Sequence, residues 1–178
     1  MKFWFTSDYH LGHNNIIKYC DRPFRDLEHM NDTIIRNHNS RVHPEDTVFH
    51  IGDFCFKNTV NGKEGEGVPI YASEWESKLN GKIIHVKGNH DKNNSTKTII
   101  KGILIEHCGV EAYLVHKPIH YNDRYKLNLT GHVHEKWKIK DMGNGVVCYN
   151  VGVDVNRFMP VTLDEIKKQL NKWKNIPF

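Results

Sequence analysis

Short groups of histidine, aspartate and asparagine recur along this 178-residue chain, which contains 13 histidines. The groups are Asp8-Tyr9-His10, Gly52-Asp53, Gly88-Asn89-His90-Asp91, the single His116, and Gly131-His132-Val133-His134. Their side chains offer oxygen and imidazole nitrogen atoms but no thiolate, a mixture that suits manganese, iron, zinc or nickel better than a cysteine-rich structural zinc site. Histidine is also the side chain that ligates metals and transfers protons near neutral pH. The groups therefore predict a metal-dependent catalytic site.

No single group is specific. Asp8 and His10 are two residues apart, so on a strand they would point to the same face and could grip one ion. A lone Gly-Asp pair is more often a turn, and a lone histidine is more often structural. Together the groups provide seven donors, which are Asp8, His10, Asp53, Asn89, His116, His132 and His134. Seven donors are too many for one four-coordinate ion and enough for two ions that share a carboxylate. We expect two divalent ions, with manganese favoured over iron, zinc or nickel.

The elements that must position these groups are short strands. Apolar or alternating runs predict strands at residues 2–6, 47–51, 82–87, 111–115, 127–130 and 146–151, and five of these runs end directly in one of the groups. Helical patterns cover residues 14–20, 26–42 and 73–79, and a last helix begins at Thr162, where Thr162 and Glu165 have the form of a capping box. In sheets covered by helices, ligands gather at the carboxyl ends of strands. The groups are therefore expected to meet at one edge.

The ordered set of motifs, which extends from Asp8 to His134, resembles the calcineurin-like metallophosphoesterase superfamily, and in particular the small stand-alone phosphoesterases of bacteria and phages. The resemblance implies an α/β (α+β) fold, a four-layer αββα sandwich in which helices flank two mixed β-sheets, with a dinuclear metal site at the carboxyl ends of the strands. It further implies one metal held by Asp8, His10, Asp53 and His134, and a second held by Asp53, Asn89, His116 and His132.

The same resemblance assigns His90 to the protonation of the leaving oxygen, and Asp91 to a structural role or to the orientation of His90. Two cations about 3.5 to 4 Å apart can clamp phosphoryl oxygens and lower the pKa of a bridging water, which makes hydroxide available near neutral pH. A poor leaving group needs a proton, and imidazole is a suitable general acid. The chain is therefore predicted to be a hydrolase of phosphodiesters or phosphomonoesters.

Substrate contacts are less sharply indicated. Cationic side chains would stabilise the negative charge of the transition state, and the candidates are Arg22, Lys57, Lys92, Lys117 and Arg124. The predicted substrate-binding set is His13, Arg22, Lys57 and His120, since His13 follows His10 by three residues and His120 follows His116 by four. The Asp-Arg-Gly stretch of the protein serine/threonine phosphatases is missing after Asp53, which argues against protein dephosphorylation. A small phosphate ester or a nucleotide is the expected substrate.

Length and composition set the remaining expectations. A chain of 178 residues suits a single domain over 1–178, and a net charge of +4 is milder than that of a dedicated nucleic-acid binder. No apolar stretch approaches the roughly 20 residues needed to span a bilayer, and we expect a cytoplasmic monomer or homodimer without membrane contact. Two alternatives stay open: a nuclease or nucleic-acid-processing module that acts with a partner, for which Trp137 between two lysines is the local hint, and a catalytically silent metal-binding interaction domain.

Overall fold

A computed structural model describes residues 1–56, 69–92 and 96–174. Within these ranges lie nine β-strands: β1 (Phe3–Thr6), β2 (Thr47–Ile51), β3 (Lys82–Val86), β4 (Gly102–His107), β5 (Val110–Val115), β6 (Leu127–Thr130), β7 (Ile139–Gly143), β8 (Val146–Asn150) and β9 (Val161–Thr162). The same ranges contain four α-helices: α1 (Asn15–Tyr19), α2 (Leu27–Asn39), α3 (Ala72–Glu76) and α4 (Leu163–Lys174). No helix in them combines the length and apolarity that a membrane crossing requires.

The strands form two sheets. The first has the order β3-β2-β1-β9, in which β1, β2 and β3 are parallel and β9 is antiparallel. The second has the order β4-β5-β6-β8-β7, in which β5, β6 and β8 are parallel and the two edge strands are antiparallel. Both sheets are therefore mixed, and the predicted α+β fold with two mixed sheets is confirmed.

Apolar side chains fill the space between the sheets and also cover the other face of the first sheet. Because side chains alternate along a strand, Phe5 in β1 belongs to the large buried cluster between the sheets, whereas its neighbour Trp4 packs with Val42 and Val48 on the opposite side. Helix α4 contributes Ile166 to the large cluster. A sheet that is buried on both faces suits parallel strands.

Most of the predicted elements are confirmed. The six predicted strands correspond to β1, β2, β3, β5, β6 and β8, and the four predicted helices to α1–α4 within a few residues. Thr162 and Glu165 form the predicted capping box: the backbone N–H of Glu165 donates to Thr162 Oγ1 (3.3 Å), and the backbone N–H of Thr162 donates to Glu165 Oε2 (2.9 Å). Strands β4, β7 and β9 were not predicted.

The segments that follow the parallel strands contact one another across the two sheets. Ser7, after β1, forms a parallel bridge with Gly152, after β8, and so joins the first sheet to the second. Within the first sheet, the backbone N–H of Asp8 donates to the carbonyl oxygen of Gly52 (3.0 Å). Within the second, the N–H of Gly131 donates to the carbonyl oxygen of His116 (3.0 Å). The loops that carry the histidine and aspartate groups therefore share one edge of the molecule.

Candidate metal centre

Six of the seven predicted ligands form two compact groups at this edge. One group contains Asp8, His10 and His134, and the other contains Asp53, His116 and His132. In each group, one donor atom from every residue lies within 4.8 Å of the others. Residues from four separate loops have therefore converged as the sequence predicts.

The carboxylate of Asp53 lies between the two groups. Its Oδ2 is 3.7 Å from His10 Nε2 in the first group and 3.2 Å from His116 Nε2 in the second. The other oxygen, Oδ1, accepts a hydrogen bond from the backbone N–H of His90 (2.9 Å), which fixes the orientation of the carboxylate. One carboxylate oxygen thus faces a histidine of each group, as a ligand shared by two ions would.

Asn89 completes the second group. Its Oδ1 lies 3.1 Å from His116 Nε2. On the other side of the same ring, His116 Nδ1 donates to the carbonyl oxygen of Ile51 (2.8 Å), so Nε2 is the nitrogen that faces Asp53 and Asn89. A second hydrogen bond of this kind fixes the tautomer and orientation of a metal-binding histidine. All seven predicted ligands therefore lie together.

The ion pair between Arg22 and Asp154 holds the ring of His134, in the first ligand group, in place. His134 Nδ1 hydrogen-bonds Asp154 Oδ2 (2.9 Å), which leaves His134 Nε2 for a ligand. Asp154 in turn accepts two hydrogen bonds from the guanidinium of Arg22, at 2.8 and 3.1 Å. Arg22 also donates to the carbonyl oxygens of Asp8 (2.7 Å) and Tyr9 (3.0 Å). The pair therefore links the loop after β1 to the ring of His134.

The backbone at the ligands is strained. Asp8, His10, Asp53, His132 and His134 have φ angles of 59°, 51°, 56°, 72° and 48°. Residues other than glycine rarely adopt this left-handed conformation, and each instance costs on the order of 1–3 kcal/mol unless the surroundings enforce it. Such residues concentrate at functional sites, so five of them among seven ligands indicate a site built for binding.

Two glycines make room for the carboxylates. A Cβ atom on Gly88 would overlap the Asp53 carboxylate, and one on Gly131 would overlap Ser7 and lie 2.5 Å from Asp8 Oδ2. Both glycines directly precede ligand residues, Asn89 and His132. The backbones of these loops can therefore approach the carboxylates closely only because no side chain intervenes.

Buried polar atoms test whether the site fits metal ions. Within the described part of the chain, Asp8 Oδ1 and both ring nitrogens of His10 are buried without a hydrogen-bond partner. A buried polar group left in that state costs about 1–3 kcal/mol. Asp8 Oδ1 and His10 Nε2 are 4.0 Å apart. A cation between these two atoms would satisfy both, so the donor set fits divalent metals.

The pKa values of the histidines show how the groups interact without a cation. Burial alone would lower the pKa of His116, but its hydrogen bond to Asp53 and the nearby carboxylates raise it to about 9. Burial is likewise outweighed at His134, whose hydrogen bond to Asp154 contributes to a pKa of about 10. His132 behaves in the opposite way, because burial and then the positive charges of His116 and Lys117 lower its pKa to about 4.

Several known proteins are similar to this chain in sequence or structure. No family model matches the chain. The uncharacterized protein MJ1445 of Methanocaldococcus jannaschii is 35% identical over 183 residues, which cover 97% of this chain and 93% of that protein. The crystal structure of AQ665 from Aquifex aeolicus, a protein of unknown function, matches with 27% identity and a TM-score of 0.68 over 94% of this chain and 98% of that one. Yfce, a phosphoesterase from E. coli, matches with 16% identity and a TM-score of 0.45, over 84% of this chain and 78% of that one.

The two mixed sheets carry all seven ligands in the predicted order at the ends of their strands. The chain belongs to the same family as MJ1445, and its fold and ligand order resemble those of the calcineurin-like metallophosphoesterase superfamily. Asp91 is buried, and its carboxylate accepts hydrogen bonds from the backbone N–H groups of Gly88 (2.6 Å), Asp53 (3.1 Å) and Phe54 (3.3 Å). These contacts favour a role in holding two ligand loops together.

Two cavities open beside the candidate metal centre, each bordered by a different ligand group. The smaller, of about 260 Å³, is lined by His10 and His134 and also by the exposed side chain of His90 and by His13, whose ring stacks on Phe56 with 4.5 Å between centroids. The larger, of about 450 Å³, is lined by Asn89, His116 and His120 together with Lys87, Lys101 and Lys117. The predicted contacts His13 and His120 thus line different cavities.

The remaining predicted substrate contacts lie elsewhere. Lys57 is outside the described residues. The guanidinium side chain of Arg22 is fully buried and engaged by Asp154, which favours a supporting role over a direct contact with substrate. Asp154 is not among the predicted site residues, although it follows β8 as the ligands follow their own strands. Its partner Arg22 is 132 residues away, so no local spacing reveals the pair.

Proposed function

We propose that this protein is a metal-dependent phosphodiesterase that hydrolyses its substrate at the paired ligand groups. The observation that carries the proposal is the position of Asp53 Oδ2, which faces His10 in one group and His116 in the other. A carboxylate placed between two divalent cations offsets part of their mutual repulsion. The geometry therefore suits two neighbouring ions better than a single one.

The ligands divide naturally between the two ions. Asp8, His10 and His134 would hold the first, and the second group, completed by Asn89, would hold the other. Two divalent cations in these positions would polarise the phosphoryl oxygens and lower the pKa of water, so that hydroxide is available near neutral pH. The nitrogen and oxygen donors suit manganese, which we propose as the preferred ion.

His90 is the proposed general acid. Its backbone is fixed by the hydrogen bond to Asp53, while its side chain is exposed in the smaller cavity, with its ring centroid 5.4 Å from that of His10. In hydrolysis, the oxygen of water forms a bond to phosphorus, the bond from phosphorus to the leaving oxygen breaks, and the leaving oxygen takes the proton of His90. The proton lost by water returns His90 to its starting state through solvent.

The two cavities favour a diester over a monoester. A phosphodiester has two organic branches on one phosphorus, and the centre is flanked by two spaces of about 260 and 450 Å³. The larger volume falls within the roughly 300–1,000 Å³ typical of sites for small molecules. A monoester would leave one of the two spaces without an occupant.

Hydrolysis of nitrophenyl esters tests the proposal. The chelated protein is assayed with bis-p-nitrophenyl phosphate and p-nitrophenyl phosphate after addition of Mn, Ni, Zn or Mg, with Asp53→Asn purified in parallel as a background control. We expect metal-dependent release of nitrophenol, fastest with Mn and faster from the diester. Faster turnover of the monoester would overturn the diester assignment, and no turnover with any metal would favour a silent metal-binding domain.

A further inference from the structure

The larger of the two cavities has an unusual lining. Beside Asn89 and His116 of the second ligand group it presents three lysines, Lys87, Lys101 and Lys117. His120 and two small residues complete the wall, and no aspartate or glutamate is among its lining residues. The smaller cavity, by contrast, is lined by Glu135 as well as Lys136. Positive charge is thus concentrated in the cavity that borders the second ligand group.

The fold brings the three lysines together from separate segments. Lys87 follows β3 of the first sheet, Lys117 follows β5 of the second, and Lys101 precedes β4. Because β4 and β5 are antiparallel, with Gly102 opposite Val115, the beginning of one lies beside the end of the other. The backbone N–H of Lys87 donates to the carbonyl oxygen of Ile100 (2.7 Å) and joins the two sheets at this point.

The three lysines give this cavity a positive charge that a bound anion would balance. None of the ion pairs formed within residues 1–56, 69–92 and 96–174 involves Lys87, Lys101 or Lys117. With two dications bound at the ligand groups, as the proposed function requires, these ammonium groups would repel the ions, and the repulsion would be strongest where water is partly excluded. Lys87 and Lys117 are half-buried, so solvent screens them incompletely. A bound anion would offset the repulsion.

The phosphate that is being cleaved does not account for the whole cavity. It would lie at the ligand groups, whereas the cavity extends over about 450 Å³ to Lys101 and His120, which are exposed. The leaving branch must lie near His90, and His90 lines the other cavity. The lysine side therefore receives the branch that stays on phosphorus.

We propose that Lys87, Lys101, Lys117 and His120 bind a second phosphate group, carried by the branch of the diester that remains attached to the scissile phosphorus. This inference rests on the proposed phosphodiesterase function and narrows its substrate class to diesters with a further phosphate. Nucleoside bisphosphate esters and 3′-phosphorylated nucleic-acid strands both have this chemistry.

A matched pair of substrates tests the inference. Thymidine 5′-(p-nitrophenyl phosphate) and its 3′-phosphorylated form release the same leaving group and differ only in the second phosphate on the retained branch. We expect the 3′-phosphorylated ester to have the lower KM in the metal-loaded enzyme. Lys101→Gln and Lys117→Gln should each raise that KM about tenfold, as loss of one charge-assisted hydrogen bond would. Lys101→Gln, which lies farther from the ligand residues along the chain, should change the KM of the plain ester by less than about twofold.

Lys126→Gln is the control, because it removes the same charge just before β6, at the other end of that strand from His132.

Two inhibitors show whether the second phosphate belongs to a small nucleotide or to a nucleic-acid strand. Inhibition by both thymidine 3′,5′-bisphosphate and a 3′-phosphorylated trinucleotide would show that the site also accepts strands. Inhibition by the mononucleotide alone would restrict the site to small molecules. Equal KM values for the two esters, or equal effects of the variants on both, would overturn the inference while leaving the phosphodiesterase intact.

A direct binding measurement separates failure of the inference from failure of the proposed function. If neither ester is hydrolysed with any metal, the phosphodiesterase function is overturned. Calorimetric titration with thymidine 3′,5′-bisphosphate then still decides the role of the cavity. Weaker binding to Lys117→Gln than to Lys126→Gln supports it, and equal dissociation constants reject it.

Discussion

Asp53 meets two demands at once, because one of its oxygens faces both ligand groups and the other is tied to the backbone of His90. We expect Asp53→Asn to weaken both ions together, since the amide lacks the negative charge that offsets their repulsion. The loss should exceed the roughly 10–100-fold caused by changes to outer partners of metal ligands. Elemental analysis of protein dialysed against dilute Mn measures the number of ions retained.

The control for this change is Asp32→Asn, which has the same chemistry on the exposed side of α2. It should keep the metal content of the unmodified protein. Loss of a single ion from Asp53→Asn would assign the carboxylate to one ion only, and an unchanged content would exclude it as a ligand.

His90 provides a test that depends on the leaving group. We expect His90→Ala to retain both ions and to lose about 10²–10⁴-fold in turnover of a dinucleotide, whose leaving alkoxide needs a proton. The loss on bis-p-nitrophenyl phosphate should be much smaller, since nitrophenolate leaves readily without one. Chromatography of dinucleotide products and absorbance of nitrophenol give the two rates. His43→Ala, an exposed position before β2, should change neither, and an equal loss on both substrates would remove His90 from the role of acid.

At the scale of elements, the loops after β1 and β2 run side by side. Backbone N–H groups of His10 and Leu11 donate to the carbonyl oxygens of Asp53 (3.1 Å) and Phe54 (3.1 Å). This pairing continues the parallel sheet beyond its last regular residues and sets the two carboxylates, Asp8 and Asp53, at a fixed separation. The loop after β3 then packs so closely on Asp53 that only a glycine fits at position 88.

Gly88→Ala tests this close packing. Gly88 is not among the glycines with positive φ, so alanine could adopt its backbone conformation and only the overlap with Asp53 opposes it. We expect a loss of about 1–3 kcal/mol in the free energy of unfolding, as overpacking usually costs, and a loss of bound metal. Urea denaturation and elemental analysis measure the two effects.

Gly109→Ala is the counterpart, because its added methyl group meets nothing within 4 Å although φ is +74°. It should cost about 1 kcal/mol through backbone strain alone and leave the metal content unchanged. If Gly88→Ala also kept its metals, the close approach of the β3 loop would not be needed to hold Asp53.

The sequence was most informative where a ligand follows a regular strand. Strands β1, β2, β3, β5 and β6 each end directly before a ligand group, so local patterns located both the strand and the site. Strand β9 has only two residues and exists because it pairs with β1, and β7 contains Lys140 and Asp141, which have little strand preference. Non-local pairing determines these elements, as it determines the contact between Arg22 and Asp154.

For the whole molecule, the meeting of two sheets concentrates opposite charges at one edge. Without cations, the carboxylates of Asp53 and Asp154 hold protons on His116 and His134, whose pKa values are raised to about 9 and about 10. The unfolded value is near 6.5. These protons therefore stabilise the metal-free fold fully below about pH 6.5, and that contribution is lost as the pH rises through 9 and 10.

Metal ions must displace these protons, because ligation requires neutral imidazole. Each ligand group contains one such histidine, so we expect the binding of two ions at pH 7 to release about two protons. The apparent affinity for each ion should rise about tenfold per pH unit until the pH reaches the pKa of that group's histidine. Calorimetry in two buffers with different ionisation enthalpies counts the protons. Asp154→Asn removes the carboxylate that raises the pKa of His134 and should reduce the count towards one. Equal heats of metal binding in the two buffers would show that no protons are released. His116 and His134 would then already be neutral, and Asp53 and Asp154 would not control metal affinity by holding protons on them.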